Sequence, residues 1–175
     1  MAKTGREGLS DKWTLSPVGG SDKASSFIAL FRNQKGLNIA TLIDLQKKDE
    51  QKIANIYKEK LLKKKQVLTF ADFTKTTEAD IEDMFDVSFY LELVNAEFKD
   101  QLSAPITEAA LPKHPRVLVR LEKHFEANPL KFGAFNHYRP ARYFADNIAG
   151  LTPKVSNATL DRFEAAYKAL NALLK

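Results

Sequence analysis

LNIATLID, Leu37 to Asp44, decides how the fold is read. From Leu37 to Ile43 the run is apolar on both faces. A half-exposed strand alternates apolar with polar residues, whereas a strand covered by helices on both sides is apolar throughout. The stretch therefore predicts a buried strand that stops at an acid, Asp44.

The neighbouring segments predict more of the same architecture. Upstream, WTLSPV (Trp13 to Val18) reads as a short strand closed by Gly19-Gly20. Ser21 or Asp22 then caps a helix through SFIALF, because either side chain can accept from the free amides of a first turn. Gly36 ends that helix. Downstream, Ile53, Ile56, Tyr57, Lys60 and Leu61 fall at helical spacing within Lys47–Lys63, and VLTF (Val67 to Phe70) reads as the next strand. The order β-α-β-α-β predicts a parallel sheet with helices on both faces, an α/β fold.

Beyond Asp86 only helices are predicted. FYLELV begins them. SAPITEAALPKHP (Ser103 to Pro115) reads as a loop or broken helix, and Pro115 can enter the first turn of a helix whose face is Val117, Leu118, Leu121 and Phe125. A short helix is expected from about Pro140 to Ile148. The last shows Leu160, Phe163, Tyr167, Leu170 and Leu174 on one packing stripe. Three regions are thus predicted: a flexible N-terminus over 1–12, an α/β core over 13–100 and a helical region over 101–175.

Composition narrows the function classes. With 175 residues the chain can bury a real core, and 44% apolar with 28% charged residues is a globular balance. The absence of cysteine excludes disulfides, thiolate metal sites and cysteine catalysis. No apolar run approaches a membrane span and MAKTGREGLSDKW lacks a signal-peptide core, so no membrane partner is expected and a cytoplasmic location is the default. A net charge of +5 permits an acidic partner without requiring one.

The acids carry the most chemistry. In parallel α/β sheets ligands gather beyond the carboxyl ends of the strands. Asp44 and Asp72 lie at such ends, and ADIEDMFD (Ala79 to Asp86) follows with Asp80, Glu82, Asp83 and Asp86. Hard divalent cations such as Mg2+ or Mn2+ take oxygen ligands of this kind, and two of them can activate water against a phosphodiester. The alternative is equally physical: Asp80, Glu82 and Asp83 complement the positive end of a helix dipole. An acid closing a doubly covered strand needs a partner to offset its desolvation, which makes Asp44 the stronger candidate.

Three stretches in order, SPVGGSDKASSFIALFRNQKGLNIATLIDLQ, EADIEDMFDVSFYLELVN and FNHYRPARYFADN, resemble the TOPRIM region and C-terminal part of the OLD family of ATP-dependent endonucleases, from about Trp13 to the C-terminus. The resemblance implies a partial TOPRIM (Rossmann-like) domain that cuts DNA with two divalent metals, Mg2+ or Mn2+. It implies catalytic and metal-binding roles for Asp44, Asp80, Glu82 and Asp83, with Asp44 as the first aspartate of the family's Asp-x-Asp motif. Gln46 stands where the second aspartate is expected, which removes a charge. The family's first strand, glutamate and helix have no counterpart. No GxxxxGK[ST] occurs, so no ATP site is expected in this chain. The expectation is a C-terminal piece of an OLD-like protein, weak or inactive alone, whose open sheet edge an ATPase domain, a partner chain or self-association covers. A noncatalytic module binding DNA or protein is the alternative.

Two basic stretches remain. KEKLLKKKQ (Lys58 to Gln66) ends a predicted helix, where lysines favour the free carbonyls, or else contacts phosphates. In FNHYRPARYF (Phe135 to Phe144), His137, Arg139 and Arg142 are the candidate DNA contacts, while Tyr143 and Phe144 equally fit a core-facing helix.

Overall fold

The computed structural model describes residues 1, 4–19, 21–31 and 33–174, the side chains of residues 21 and 22 excepted. Gly20 and the capping side chains expected at Ser21 and Asp22 lie outside the described residues. The chain is a mixed α/β protein dominated by helix. It divides into two compact units, Met1–Met84 with Leu160–Lys175, and Phe85–Thr159. The boundary expected near residue 100 thus falls at 84/85, and the end of the chain belongs with its beginning.

In the first unit, α1 (Ser21–Phe31) precedes β1 (Thr41–Ile43), then come α2 (Glu50–Lys58), β2 (Val67–Thr69) and α3 (Ala71–Thr74). β1 and β2 pair in parallel, Thr41 opposite Val67 and Ile43 opposite Thr69. Side chains alternate along a strand, and the sheet is accordingly packed on two sides. Ile39 and Ile43 join Ala24 and Ile28 of α1 and Ile56 of α2, whereas Leu42 joins Phe70, Met84 and Ala166. Ala166 lies on α8 (Asn157–Asn171), the predicted final helix. Ile28 and Ile56 are each 1% exposed, and burial of such side chains contributes about 1.5–3 kcal/mol apiece.

Two differences from the predicted pattern have clear reasons. Trp13–Val18 forms no strand: Leu15 is 74% exposed, and Pro17 lacks the amide a ladder requires. The first residues are not a free lead-in. Arg6 pairs with Asp161 and with Glu164 at 2.9 Å, the Ser10 amide donates to Asn171 at 2.9 Å, and the Asn171 amide donates to the Gly8 carbonyl at 3.0 Å. The segment is tied along the last helix by both charge and main-chain bonds.

α2 ends in a Schellman motif. The Lys60 amide donates to the Tyr57 carbonyl and the Leu61 amide to that of Ile56, both at 3.1 Å, with Lys60 left-handed at φ +58°. Glycine normally takes this position because a Cβ costs about 1–2 kcal/mol there. Lys60 bears that cost.

The second unit contains α4 (Val87–Glu97), α5 (Val117–Ala127), α6 (Tyr138–Asp146) and α7 (Ile148–Leu151). Phe89, Leu93, Val94 and Phe98 from α4 and its end form a core with Val117, Leu121 and Phe125, the predicted face of α5. Phe144 of α6 stands edge-on to Phe85 and Phe89, at 5.7 and 5.9 Å between centroids. Asn95 holds the following loop to α4: its Nδ2 donates to the Ile106 carbonyl at 2.9 Å and its Oδ1 accepts the Ile106 amide at 2.7 Å. No described helix is long and apolar enough to cross a membrane.

Asn95→Ala removes both bonds and leaves the Ile106 groups of a half-buried loop unmet. Chemical denaturation should show a loss of about 1–3 kcal/mol.

Candidate functional site: the acidic turn beyond the first strand

The main chain brings Asp44 to the acidic turn. After β1 the chain makes an antiparallel bridge, the Leu45 amide donating to the Ala79 carbonyl at 2.8 Å and the Ala79 amide returning to Leu45 at 3.0 Å. Residues 44 and 80 therefore leave this bridge side by side. The Ile81 amide donates to Asp44 Oδ1 at 3.1 Å. One turn on, the Asp80 amide donates to Asp83 Oδ2 at 2.8 Å, and the Asp83 amide donates back to the Asp80 carbonyl at 3.1 Å. The first bond is one arm of a capping box, and the second is the main-chain bond that opens the 3-10 turn Ile81–Met84.

The four predicted acids thus share one neighbourhood but not one exposure. Asp44 is exposed, Asp83 half-buried, and Asp80 and Glu82 are only 2% and 8% exposed. One oxygen of Asp44 and one of Asp83 already accept backbone amides. Among the described residues, no three or more His, Asp or Glu side chains form a group able to hold a metal ion. A two-cation site needs several carboxylate oxygens converging on each ion, so these residues do not fit one in this arrangement.

Other acids near the strand ends are also engaged. Asp72 Oδ2, in the first turn of α3, accepts the Thr69 amide at 2.7 Å and lies 3.0 Å from the Thr69 hydroxyl. Glu78 Oε1 accepts the Lys47 amide at 2.7 Å. The backbone carbonyl of Gln46 accepts the Asp49 amide at 2.8 Å, so the residue at the second Asp-x-Asp position opens a 3-10 turn.

The basic candidates belong to the second unit, His137 and Arg139 half-buried and Arg142 exposed. Arg139 Nε donates to Glu97 at 2.8 Å and its guanidinium lies 4.3 Å from the centroid of the Phe98 ring. Phe98 is fully buried, so Arg139 is built into the packing of α6 on α4. Arg142 is largely exposed, with Asp146 at 4.0 Å. His137 lies 4.2 Å from the exposed ring of Tyr138. His114 accepts the Arg116 amide at 3.1 Å and His124 stands edge-on to Phe125, both local roles.

Glu164, which sequence reasoning passed over as part of a packing helix, is strongly perturbed. Lys168 at 2.8 Å, then the Glu7 amide and Arg6, hold its carboxyl at about 2, well below the usual carboxylate range. The i,i+4 spacing to Lys168 was visible in sequence; the N-terminal donors, 157 and 158 residues away, were not.

Comparison with known protein families, curated proteins and solved structures finds no match.

Two outcomes follow for the acids. A carboxylate held below its unfolded value stabilises the fold above about pH 4.3 and loses that contribution as pH falls toward 2. Glu164→Gln should therefore flatten the acid limb of a melting-temperature profile below about pH 4.3 and lower the plateau above it. Asp83→Ala removes the acceptor of the Asp80 amide and should cost about 0.5–2 kcal/mol in denaturant titrations.

Proposed function

We propose that this chain is a TOPRIM-like module of the OLD endonuclease type that engages DNA without cutting it by itself. The observation carrying this reading is the position of Asp44, at the carboxyl end of a parallel strand and bonded to the Ile81 amide. That end of such a sheet is where α/β proteins assemble their chemistry. Here one oxygen each of Asp44, Asp72 and Asp83 accepts a backbone amide. The residues do not complete a two-cation site, so no cleavage step is assigned to them. Cleavage would need further carboxylates from elsewhere in an OLD-type assembly, with Mg2+ or Mn2+ as the cations.

DNA as partner is supported by the net charge of +5 and by exposed Arg142, with His137 alongside the exposed Tyr138. Arg139, held by Glu97 and Phe98, would position α6 and not clamp a phosphate.

A second reading, cation-dependent cleavage by this chain, draws on the nearness of Asp44 to the turn at Asp80. The two readings separate in one experiment. The purified chain is incubated with supercoiled plasmid in millimolar Mn2+ or Mg2+, and its melting temperature is measured with and without metal. The expected result is intact plasmid and an unchanged melting temperature. In EDTA, Asp44→Ala should still be less stable than the parent by about 0.5–1.5 kcal/mol, because Ile81 loses its acceptor. Nicking that disappears in Asp44→Ala would establish the second reading and overturn the first.

A further inference from the structure

A groove of about 520 Å³ lies beyond the amino ends of β1 and β2, the opposite end from Asp44. Ile39 and Gln66, just ahead of the two strands, line it, with Leu37, Tyr57 and Leu61 supplying apolar surface. Lys60, Lys63 and Lys64 also line it and are exposed. No acid is among its described lining residues, and Lys58 and Lys65 flank it in sequence. Gln66 fixes its base. Its Nε2 donates to the Ile39 carbonyl at 2.7 Å and to Asn38 at 3.0 Å, and its Oε1 accepts the Lys63 amide at 2.9 Å.

Lys60 gives the groove its second peculiarity. It occupies a left-handed helix-end position that favours glycine, at a cost in stability, and its side chain is one of the groove's cations. A left-handed residue with a side chain costs stability, so a cation placed there sets binding in the groove against stability.

We propose that this groove binds single-stranded nucleic acid. Successive phosphates lie along Lys60, Lys63 and Lys64, and a base rests against Tyr57 and the neighbouring aliphatic surface. Three lysines within five residues match the repeating charge of a phosphodiester strand, and an aromatic ring beside a cationic track is how proteins hold unpaired bases without reading sequence. A duplex keeps its bases stacked inside and has no use for Tyr57. The binding requires no cation, and it does not depend on the acidic turn or on the family reading.

The test is fluorescence anisotropy of the full chain with a labelled oligothymidylate of about 15 nucleotides, in EDTA, across a salt series. Binding should weaken with salt. Lys60→Gly should weaken it about fivefold at 0.1 M salt and reduce the salt slope by about 0.7, yet raise the melting temperature. Lys75→Gly is the control, since Lys75 is also left-handed at φ +59° but does not line the groove. It should raise the melting temperature and leave binding unchanged. Tyr57→Leu should weaken binding with the salt slope intact. Asp44→Asn should bind as the parent does, so failure of the acidic-turn reading leaves this result untouched. The proposal is overturned if the oligonucleotide does not bind at low salt, or if Lys60→Gly and Lys75→Gly behave alike in binding. It is equally overturned if duplex DNA or polyglutamate competes as well as the unlabelled single strand.

Discussion

Two main-chain hydrogen bonds between Leu45 and Ala79 govern the arrangement of the first unit. They join the segment leaving β1 to the segment ahead of the acidic turn, across 33 residues of intervening chain. Without this bridge, Asp44 has no reason to meet Ile81, and Ala79 and Met84 have no reason to enter the cluster that holds Leu42 and Phe70. The bridge is a backbone constraint, so it sets positions before any side-chain chemistry begins. Asp44 and Asp83 then accept the amides of Ile81 and Asp80, supplying acceptors to backbone donors at the start of the turn.

That order of causes explains how the acidic turn combines crowding with tolerance of charge. Four acids in seven residues repel one another when each is surrounded only by the others. Here Asp44 and Asp83 are each paid back by a short-range N–H dipole, and Asp83 lies in the first turn of a 3-10 segment. Asp72 repeats the device at α3. Three of the acids that sequence spacing assigned to ligand chemistry or marked at strand ends thus accept backbone amides, a use that needs the same residue types at nearly the same spacing.

The parts of the fold legible in sequence were those set by local pattern. The 3.6-residue stripes of α5 and α8 mark their packing faces, because periodicity is a direct imprint of which face is dry. By contrast, of the run Leu37–Ile43 read as a buried strand only Thr41–Ile43 is strand, half-buried, and Leu37 is 50% exposed. Other features lay outside such patterns. Trp13–Val18 carries strand-like residues, but a strand exists only if a second chain segment completes its ladder, and Pro17 weakens the offer. Arg139 reads as a phosphate clamp until Glu97 and Phe98, 42 and 41 residues earlier, take its charge and its flat face. The left-handed turn at Lys60 was hidden because nothing in a lysine signals positive φ. The joint at Asp44 lay between these extremes: its proximity to Asp80 was inferred from strand-end logic, while the amide that occupies it was not.

The central claim is that Asp44 serves as the acceptor for the Ile81 amide, making the acidic turn a structural joint. Native-state amide exchange followed by NMR measures this bond directly. The Ile81 amide is expected to be protected in the parent chain and unprotected in Asp44→Ala, with rates unaltered by millimolar Mg2+. An Ile81 amide that exchanges at the unfolded rate in the parent, or one whose protection depends on the cation, would contradict this claim.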